Sequence, residues 1–263
     1  MSHAILSVGI HGASGRMGTR LIQLIALDPT LKLAAALERA GHPHLGADAG
    51  ALAAVAPLGI ALHSSLPADR LIDVMIDFSL PHATLGVAES CRERGIPLVV
   101  GTTGFDAGER KLLESSSTRI PMLIAPNMSR AVNLLMRLVA EAARSLGKTA
   151  DVAIVERHHR TKKDAPSGTA LRLAECARHG SVSSSQRGQP ADGSESEISM
   201  HALRIADSPG EHTVIFAMLG ETLELSHRAL NRDGFARGAL EAAKFLAGKP
   251  PGLYSMEDVL ICP

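Results

Sequence analysis

Two adjacent histidines, His158 and His159, stand four and three residues before Lys162, inside the run Glu156-Arg157-His158-His159-Arg160-Thr161-Lys162-Lys163-Asp164-Ala165-Pro166-Ser167-Gly168-Thr169. Histidine changes charge near neutral pH, and a lysine in a cationic setting releases its proton more readily. His158 and Lys162 therefore suit general acid–base work. Arg157, Arg160, Lys162 and Lys163 are opposed in residues 157–164 only by Asp164, which leaves about three net positive charges with His neutral. A small anionic substrate that must be held and protonated fits such a segment. Ser167, Gly168 and Thr169 open a helix, where free N–H groups and hydroxyls can hold a carboxylate. The same residues also serve as an ordinary helix start, with Ser167 as N-cap and Pro166 just before it. The two roles are compatible. Zinc on His158 and His159 is disfavoured: the flanking cations repel a divalent ion, and no Cys or carboxylate cluster completes a site. No metal is expected. For either histidine alone a structural role is the simpler reading. Their company with Lys162 at a strand end changes that.

A second group of residues has the chemistry of a dinucleotide cradle. Gly12-Ala13-Ser14-Gly15-Arg16-Met17-Gly18 follows an apolar run and opens a helical pattern. Glycines at 12, 15 and 18 allow a tight turn, close approach of backbone to a pyrophosphate and close helix packing, while the helix start offers N–H groups to the phosphates. Glu38 lies twenty residues beyond Gly18, where a carboxylate can accept from ribose hydroxyls. Arg39 beside it can pair with an extra 2′-phosphate. Both together point to use of NADH or NADPH. The bland alternatives are a tight structural turn and a solvated surface charge. Gly101-Thr102-Thr103-Gly104 and Ala125-Pro126-Asn127-Met128 each follow an apolar run, at the ends of strands where a ligand crevice forms.

The elements that must position these groups follow from periodicity. Apolar runs at 5–10, 31–37, 74–78, 97–100 and 122–125 read as strands, and helical spacing fills residues 17–28, 82–94 and 106–117 between them. That alternation predicts a parallel α/β sheet. Residues 129–147 form one long helix carrying Val132, Leu135, Met136 and Val139 on a stripe. The pattern then changes. Residues 152–155 are a strand leading into the histidines, and 168–178 a helix. Residues 180–196 are a Ser-, Gly- and Gln-rich exposed loop. Residues 198–205, 212–219 and 222–229 are strands, the last two joined by a hairpin at Gly220-Glu221. Residues 235–246 are a last helix, stopped at Gly248-Lys249-Pro250-Pro251.

Composition excludes several classes. Lys+Arg and Asp+Glu are both 27, so a general nucleic-acid or acidic-membrane role has no support. No apolar run is long enough to span a membrane. The run Met1-Ser2-His3-Ala4-Ile5-Leu6 has no basic n-region, so a signal peptide is not expected. Cys91, Cys176 and Cys262 are three, widely spaced, and form neither a disulfide framework nor a zinc pattern. A cytoplasmic location is expected. With no Trp and Tyr254 as the one Tyr, base stacking along a strand has no support as a binding mode.

The chain resembles the bacterial dihydrodipicolinate reductase family. The resemblance spans nearly the whole length and rests on residues 12–18, Ala36-Leu37-Glu38-Arg39, Ile76-Asp77-Phe78-Ser79, Gly101 to Phe105, His158 to Ala170 and Gly210-Glu211-His212-Thr213. It implies NAD(P)H-dependent reduction of a cyclic dicarboxylate on the diaminopimelate route to lysine. It implies an α/β fold with an N-terminal Rossmann domain, residues 1–128 plus 238–263. Residues 129–237 would be a C-terminal α+β domain on a mixed, largely antiparallel sheet, through which members form homotetramers. It makes His158 the catalytic acid/base and Lys162 the proton donor. It assigns His159, Gly168 and Thr169 to the substrate carboxylates. The cofactor falls to Gly12, Ala13, Ser14, Gly15, Arg16, Met17, Glu38, Arg39, Gly101, Thr102, Thr103, Ala125, Pro126, Asn127 and Met128. Closure about residues 127–130 and 235–240 would exclude water. Two departures stand out: Ala131 replaces a usual Gly, and Arg204-Ile205-Ala206-Asp207-Ser208-Pro209 replaces an Arg-x-Gly-Asp approach to Gly210. The rival expectations are another two-domain Rossmann dehydrogenase, which would not need the His-His-x-x-Lys run, and a catalytically silent dinucleotide sensor.

Overall fold

Strand and helix alternate from Leu6 onward in the computed structural model, which describes residues 5–181 and 198–261. In chain order the elements are β1 (Leu6–His11), α1 (Arg16–Leu27), β2 (Leu31–Leu37), α2 (Ala49–Leu52), β3 (Leu62–His63), β4 (Val74–Asp77), α3 (Pro81–Arg94), β5 (Leu98–Val100), α4 (Ala107–Ser115) and β6 (Pro121–Ile124). There follow α5 (Arg130–Leu146), β7 (Asp151–His158), α6 (Gly168–Ser181), β8 (Ser199–Arg204), β9 (Glu211–Met218), β10 (Glu221–Arg228), α7 (Asp233–Leu246), β11 (Gly252–Tyr254) and α8 (Met256–Ile261). The chain divides into two compact units, Met1–Arg130 with Asp233–Pro263, and Ala131–Arg232.

The first unit holds a seven-stranded sheet in the order β11-β6-β5-β4-β1-β2-β3. Every pairing in it is parallel. Its central strands are apolar and buried on both faces, as parallel strands covered by helices must be. The chain leaves β1 to build β2 and β3 on one side, then crosses to β4 on the other. That reversal opens a crevice at the carboxyl ends of β1 and β4. Helix α1 lays Leu21, Leu24 and Ile25 on the sheet. Helix α3 starts with Pro81 and ends at Gly95 in the left-handed region, φ 66°. Helix α4 is opened by a reciprocal Asp106–Glu109 capping box. Helix α7 returns to this unit: Ala239, Ala242, Ala243 and Leu246 join the core of Leu21 and Ile25. Arg20 grips Asp233 through two hydrogen bonds of 2.7 Å.

The second unit is a four-stranded mixed sheet in the order β10-β9-β7-β8. The β7–β8 pair is parallel and the other two are antiparallel. The stripe Val132, Leu135, Met136 and Val139 of α5 packs with Leu173 of α6 against Ile154, Val214 and Phe216 of the sheet.

Several elements differ from those that periodicity predicts. Helix α2, strand β3, strand β11 and helix α8 were not foreseen, because pieces of two to six residues carry no measurable period. The turn between β9 and β10 is Leu219-Gly220, with Gly220 at φ 87°, one residue earlier than expected. Of the loop expected at 180–196, residues 180 and 181 belong to α6, which continues through Ser181. Residues 182–196 of that loop lie outside the described residues. No helix among the described residues is long and apolar enough to cross a membrane.

Candidate active site

The glycine turn is shaped first by its own packing. A Cβ on Gly18 would lie 2.2 Å from Gly12 O, and one on Gly12, at φ 76°, would lie 2.4 Å from Phe78 O. Those two glycines are required by the turn itself. Gly15 is different: its Cβ would meet only Gly12 O, at 3.2 Å. Its bare surface at the mouth of α1 is what an approaching pyrophosphate needs, so the residues present fit a dinucleotide.

At the end of β2, Glu38 accepts from Ser14 Oγ through Oε2 at 2.7 Å and from the Arg39 N–H through Oε1 at 3.0 Å. Its burial opposes ionisation, but the Ser14 and Arg39 hydrogen bonds outweigh it and hold its pKa below the ordinary value. An ionised acceptor stands where ribose hydroxyls would need one. His42 Nε2 lies 3.2 Å from Ser14 Oγ and closes the group.

At the ends of β1, β4 and β5, Asp77 gathers four donors. His11 Nδ1 and Ser79 Oγ reach Oδ1 at 2.7 and 2.6 Å. Thr84 Oγ1 and Thr102 Oγ1 reach Oδ2 at 2.7 and 2.6 Å. The Thr102 hydroxyl also accepts from the Ser79 N–H at 2.8 Å, so that hydroxyl is engaged within the protein. Gly101 is bare because the Phe78 ring lies on it: a Cβ there would be 2.3 Å from the ring. Phe78 thus borders both the glycine turn and the 101–104 loop, a position the sequence marks only through the Ile76-Asp77-Phe78-Ser79 motif. Ala125 and Met128 are buried and Pro126 is exposed, while Asn127 Oδ1 accepts from the Ser129 N–H at 2.9 Å.

In the second unit, strand pairing gathers the acid–base groups. Glu156 and His158 share one face of β7. Register sets Arg204 of β8 opposite His158 and His212 of β9 opposite Glu156. Glu156 is 1 % exposed and His158 7 %. Glu156 Oε1 accepts from Arg204 Nη2 at 2.8 Å and from the Ser167 N–H at 3.1 Å. Glu156 Oε2 contacts His158 Nδ1. Ser167 Oγ lies 3.2 Å from His212 Nε2, and the His158 and His212 rings meet edge to face at 5.1 Å. Burial, and then the neighbouring His158, push the His212 pKa down to about 4. Lys162 Nζ pairs with Asp164 Oδ2 at 2.8 Å. His159 is half-buried, its Nδ1 2.8 Å from Thr161 Oγ1, and Gly168 and Thr169 begin α6.

Two expectations are corrected here. The positive run is less bare than residues 157–164 indicate, because Glu211 pairs with Arg157 at 3.3 Å. Nor do the histidines lack a carboxylate: ligand-capable atoms of Glu156, His158 and His212 lie within 4.8 Å of one another. That trio closes on itself, with Glu156 against His158, and the Arg204 guanidinium adds positive charge where a divalent cation would sit. Glu156, Arg204 and His212 were missed as site residues because they come from separate strands. The alternation Glu156-x-His158, which puts both on one face, was the available signal.

Comparison with known proteins agrees with this geometry in both units. Residues 6–128 match the family model "Dihydrodipicolinate reductase, N-terminus", and residues 131–260 match "Dihydrodipicolinate reductase, C-terminus". The chain belongs to the dihydrodipicolinate reductase family. It is 46 % identical to the 4-hydroxy-tetrahydrodipicolinate reductase of Anaeromyxobacter sp. (strain Fw109-5), over 97 % of this chain and 98 % of that one. It is 46 % identical to the reductase of the same name from Rhodopirellula baltica, over 97 % and 96 %. Among solved structures it resembles a dipicolinate-bound dihydrodipicolinate reductase from Paenisporosarcina sp. TG-14, with a TM-score of 0.74, 22 % identity, and 97 % and 98 % of the two chains covered. That likeness carries the family's fold, a Rossmann-like parallel sheet followed by a mixed-sheet unit.

Proposed function

We propose that the protein is an NAD(P)H-dependent reductase that converts 4-hydroxy-tetrahydrodipicolinate to tetrahydrodipicolinate in diaminopimelate and lysine biosynthesis. The observation that carries this reading is the acid–base set at the end of β7. His158 is braced by Glu156, and Lys162 follows in the next turn, in a chain matched along its length by reductases of that substrate. Bound nicotinamide supplies the hydride. Gly12, Ala13, Ser14, Gly15, Arg16 and Met17 hold the phosphates. Glu38 and Arg39 take the adenosine ribose and any 2′-phosphate. Residues 101–103 and 125–128 line the nicotinamide side. His159, with Gly168 and Thr169 at the start of α6, binds the substrate carboxylates, and Lys162 and His158 handle its proton.

The assembly is a homotetramer in the cytoplasm. Supporting this, the sheet face turned away from α5 and α6 carries Ala153, Val155, Ile215 and Ala217, only half-buried, and Leu203, 43 % exposed. Sedimentation at several protein concentrations tests it, and a monomer throughout would refute it.

The activity is tested by following reduced-nicotinamide absorbance with freshly made synthase product and each cofactor. Consumption of NADH or NADPH that depends on that product is expected. Cofactor binding without turnover would favour a sensor. Turnover only on an amino acid or sugar would favour another dehydrogenase.

A further inference from the structure

A carboxylate accepts hydrogen bonds and cannot donate them. Arg204 and the Ser167 N–H occupy Oε1 of Glu156. Burial works against the charge on Glu156, but Arg204, His158 and Ser167 outweigh it and keep its pKa low. Oε2 faces His158 Nδ1, and neither atom has a further partner. The hydrogen in that contact must come from Nδ1. A neutral imidazole protonated there carries its lone pair on Nε2. On the Nε2 side stands Gly210, at φ 148°, where a Cβ would lie 3.0 Å from Nε2 and 3.3 Å from Cδ2. Any side chain at 210 would cover the nitrogen.

We propose that Glu156 is a positioning residue that fixes the His158 ring with its proton on Nδ1, and that Gly210 keeps Nε2 uncovered. Nε2 is then the one atom through which His158 exchanges a proton with substrate. This rests on the reductase reading of the same site. A proton arriving at Nε2 makes an imidazolium whose Nδ1–H stays on Glu156. Its departure restores the neutral ring, and no other bond changes. Burial disfavours that imidazolium most, Glu156 counters it, and Lys162 and Arg204 add to the burial. His212, edge-on at 5.1 Å, is the other titratable group facing the ring. Arg204 acts through Glu156, holding the carboxylate ionised so that it can only accept.

Nitrogen-15 NMR of the wild-type protein with labelled histidine tests the tautomer directly, with His158 assigned by loss of its signals in His158→Gln. The expected spectrum shows a protonated Nδ1 and a bare Nε2 at neutral pH. A proton on Nε2 overturns the proposal whether or not any variant folds. Glu156→Gln, whose amide can serve either tautomer, should lower kcat by roughly a hundredfold or more with NADH affinity unchanged. Glu156→Asp should recover part of that loss. Gly210→Ala leaves Glu156 intact, covers Nε2, and should also lower kcat. Full kcat in Glu156→Gln overturns the assignment, and so does loss of NADH binding in step with kcat, which would mark a fold residue. Wild-type protein that binds NADH but never reduces synthase product refutes the reductase reading, while the tautomer is still decided by the spectrum.

Discussion

Asp77 and Glu156 are buried carboxylates, each facing a histidine Nδ1, one in each unit of the chain. They are completed differently. Asp77 is 0 % exposed, and each of its oxygens takes two hydrogen bonds, three of the four from neutral hydroxyls. Glu156 has an arginine and a backbone N–H on one oxygen and only His158 on the other. Among the described residues, Arg157 Nε, Arg204 Nε, His212 Nδ1 and His227 Nδ1 are buried side-chain nitrogens without a hydrogen-bond partner, all in the second unit. Buried polar atoms are ordinarily satisfied, so such a concentration calls for an explanation. The Asp77 network ties three strand ends together and leaves nothing open. The Glu156 network leaves a ring nitrogen, His212 Nδ1, open beside the ion pairs, in keeping with the proton transfer proposed for this site. The first suits rigidity, and the second suits the proton transfer proposed for it.

The sharpest way to break that contrast is to remove the proposed proton donor. Lys162→Met deletes the amine and leaves the glycine turn untouched, so cofactor affinity should hold while kcat falls by about 10²- to 10⁴-fold. His158→Gln should fall likewise, and the double variant should fall by less than the product of the two. His159→Gln should mainly raise KM, since binding a carboxylate helps ground and transition states alike. Steady-state kinetics of the four variants decide. Near-normal kcat in Lys162→Met would refute the mechanism.

Asp77→Ala should show the opposite profile. It strands four donors in a buried site, and loss of one partner from a buried charged cluster costs about 3–5 kcal/mol. Urea denaturation should register that as an earlier midpoint. A change under about 1 kcal/mol would mean that the hydroxyls find other acceptors, as the 3.1 Å contact of Thr84 Oγ1 with Leu80 O allows.

The first network was partly legible in the sequence and the second less so. Strand β1, the glycine turn and Glu38 lie close along the chain, and hydrophobic periodicity placed them. Asp77 appeared only as a motif residue, because its partners His11, Thr84 and Thr102 come from three other segments. In the second unit the sequence showed His158, His159 and Lys162 but not Glu156, Arg204 or His212. Their meeting depends on register across β7, β8 and β9, including a parallel pair where an antiparallel one was the default. Strand β11 and helix α8, at three and six residues, are defined by the partners they pack on rather than by any local pattern.

His212 gives the contrast a pH dependence. Its folded pKa, about 4, lies below the ordinary histidine value of about 6.5. The fold therefore favours the neutral ring. The stability this contributes is complete above pH about 6.5 and is lost as pH falls from there to about 4, on the order of 3 kcal/mol. His158 and His227, also shifted down by burial, share the direction. His212→Gln should flatten the stability profile through that window, measured by urea denaturation at fixed protein concentration. An unchanged slope would show that His212 does not titrate as its burial demands.

The smallest effect comes from backbone strain, and each unit offers one site for it. Ala54 and Ala206 are the non-glycine residues with positive φ among the described residues, at 56° and 45°. An L-residue held there costs about 1–2 kcal/mol, while a glycine replacement frees the unfolded chain by about 0.5–1 kcal/mol. Either Ala→Gly change should therefore stabilise by up to about 1 kcal/mol. Activity should separate them. Ala54 follows α2 in an exposed turn, and Ala54→Gly should leave kcat unchanged. Ala206 accepts from the Arg160 N–H at 3.2 Å and lies between Arg204, which grips Glu156, and Gly210, which borders His158. Relaxing it loosens both holds on the acid–base pair, so Ala206→Gly should gain stability and lose kcat, by less than about tenfold. If both variants gained stability with kcat intact, the strain at Ala206 would have no share in holding the site, and its place between Arg204 and Gly210 would be only a matter of chain path.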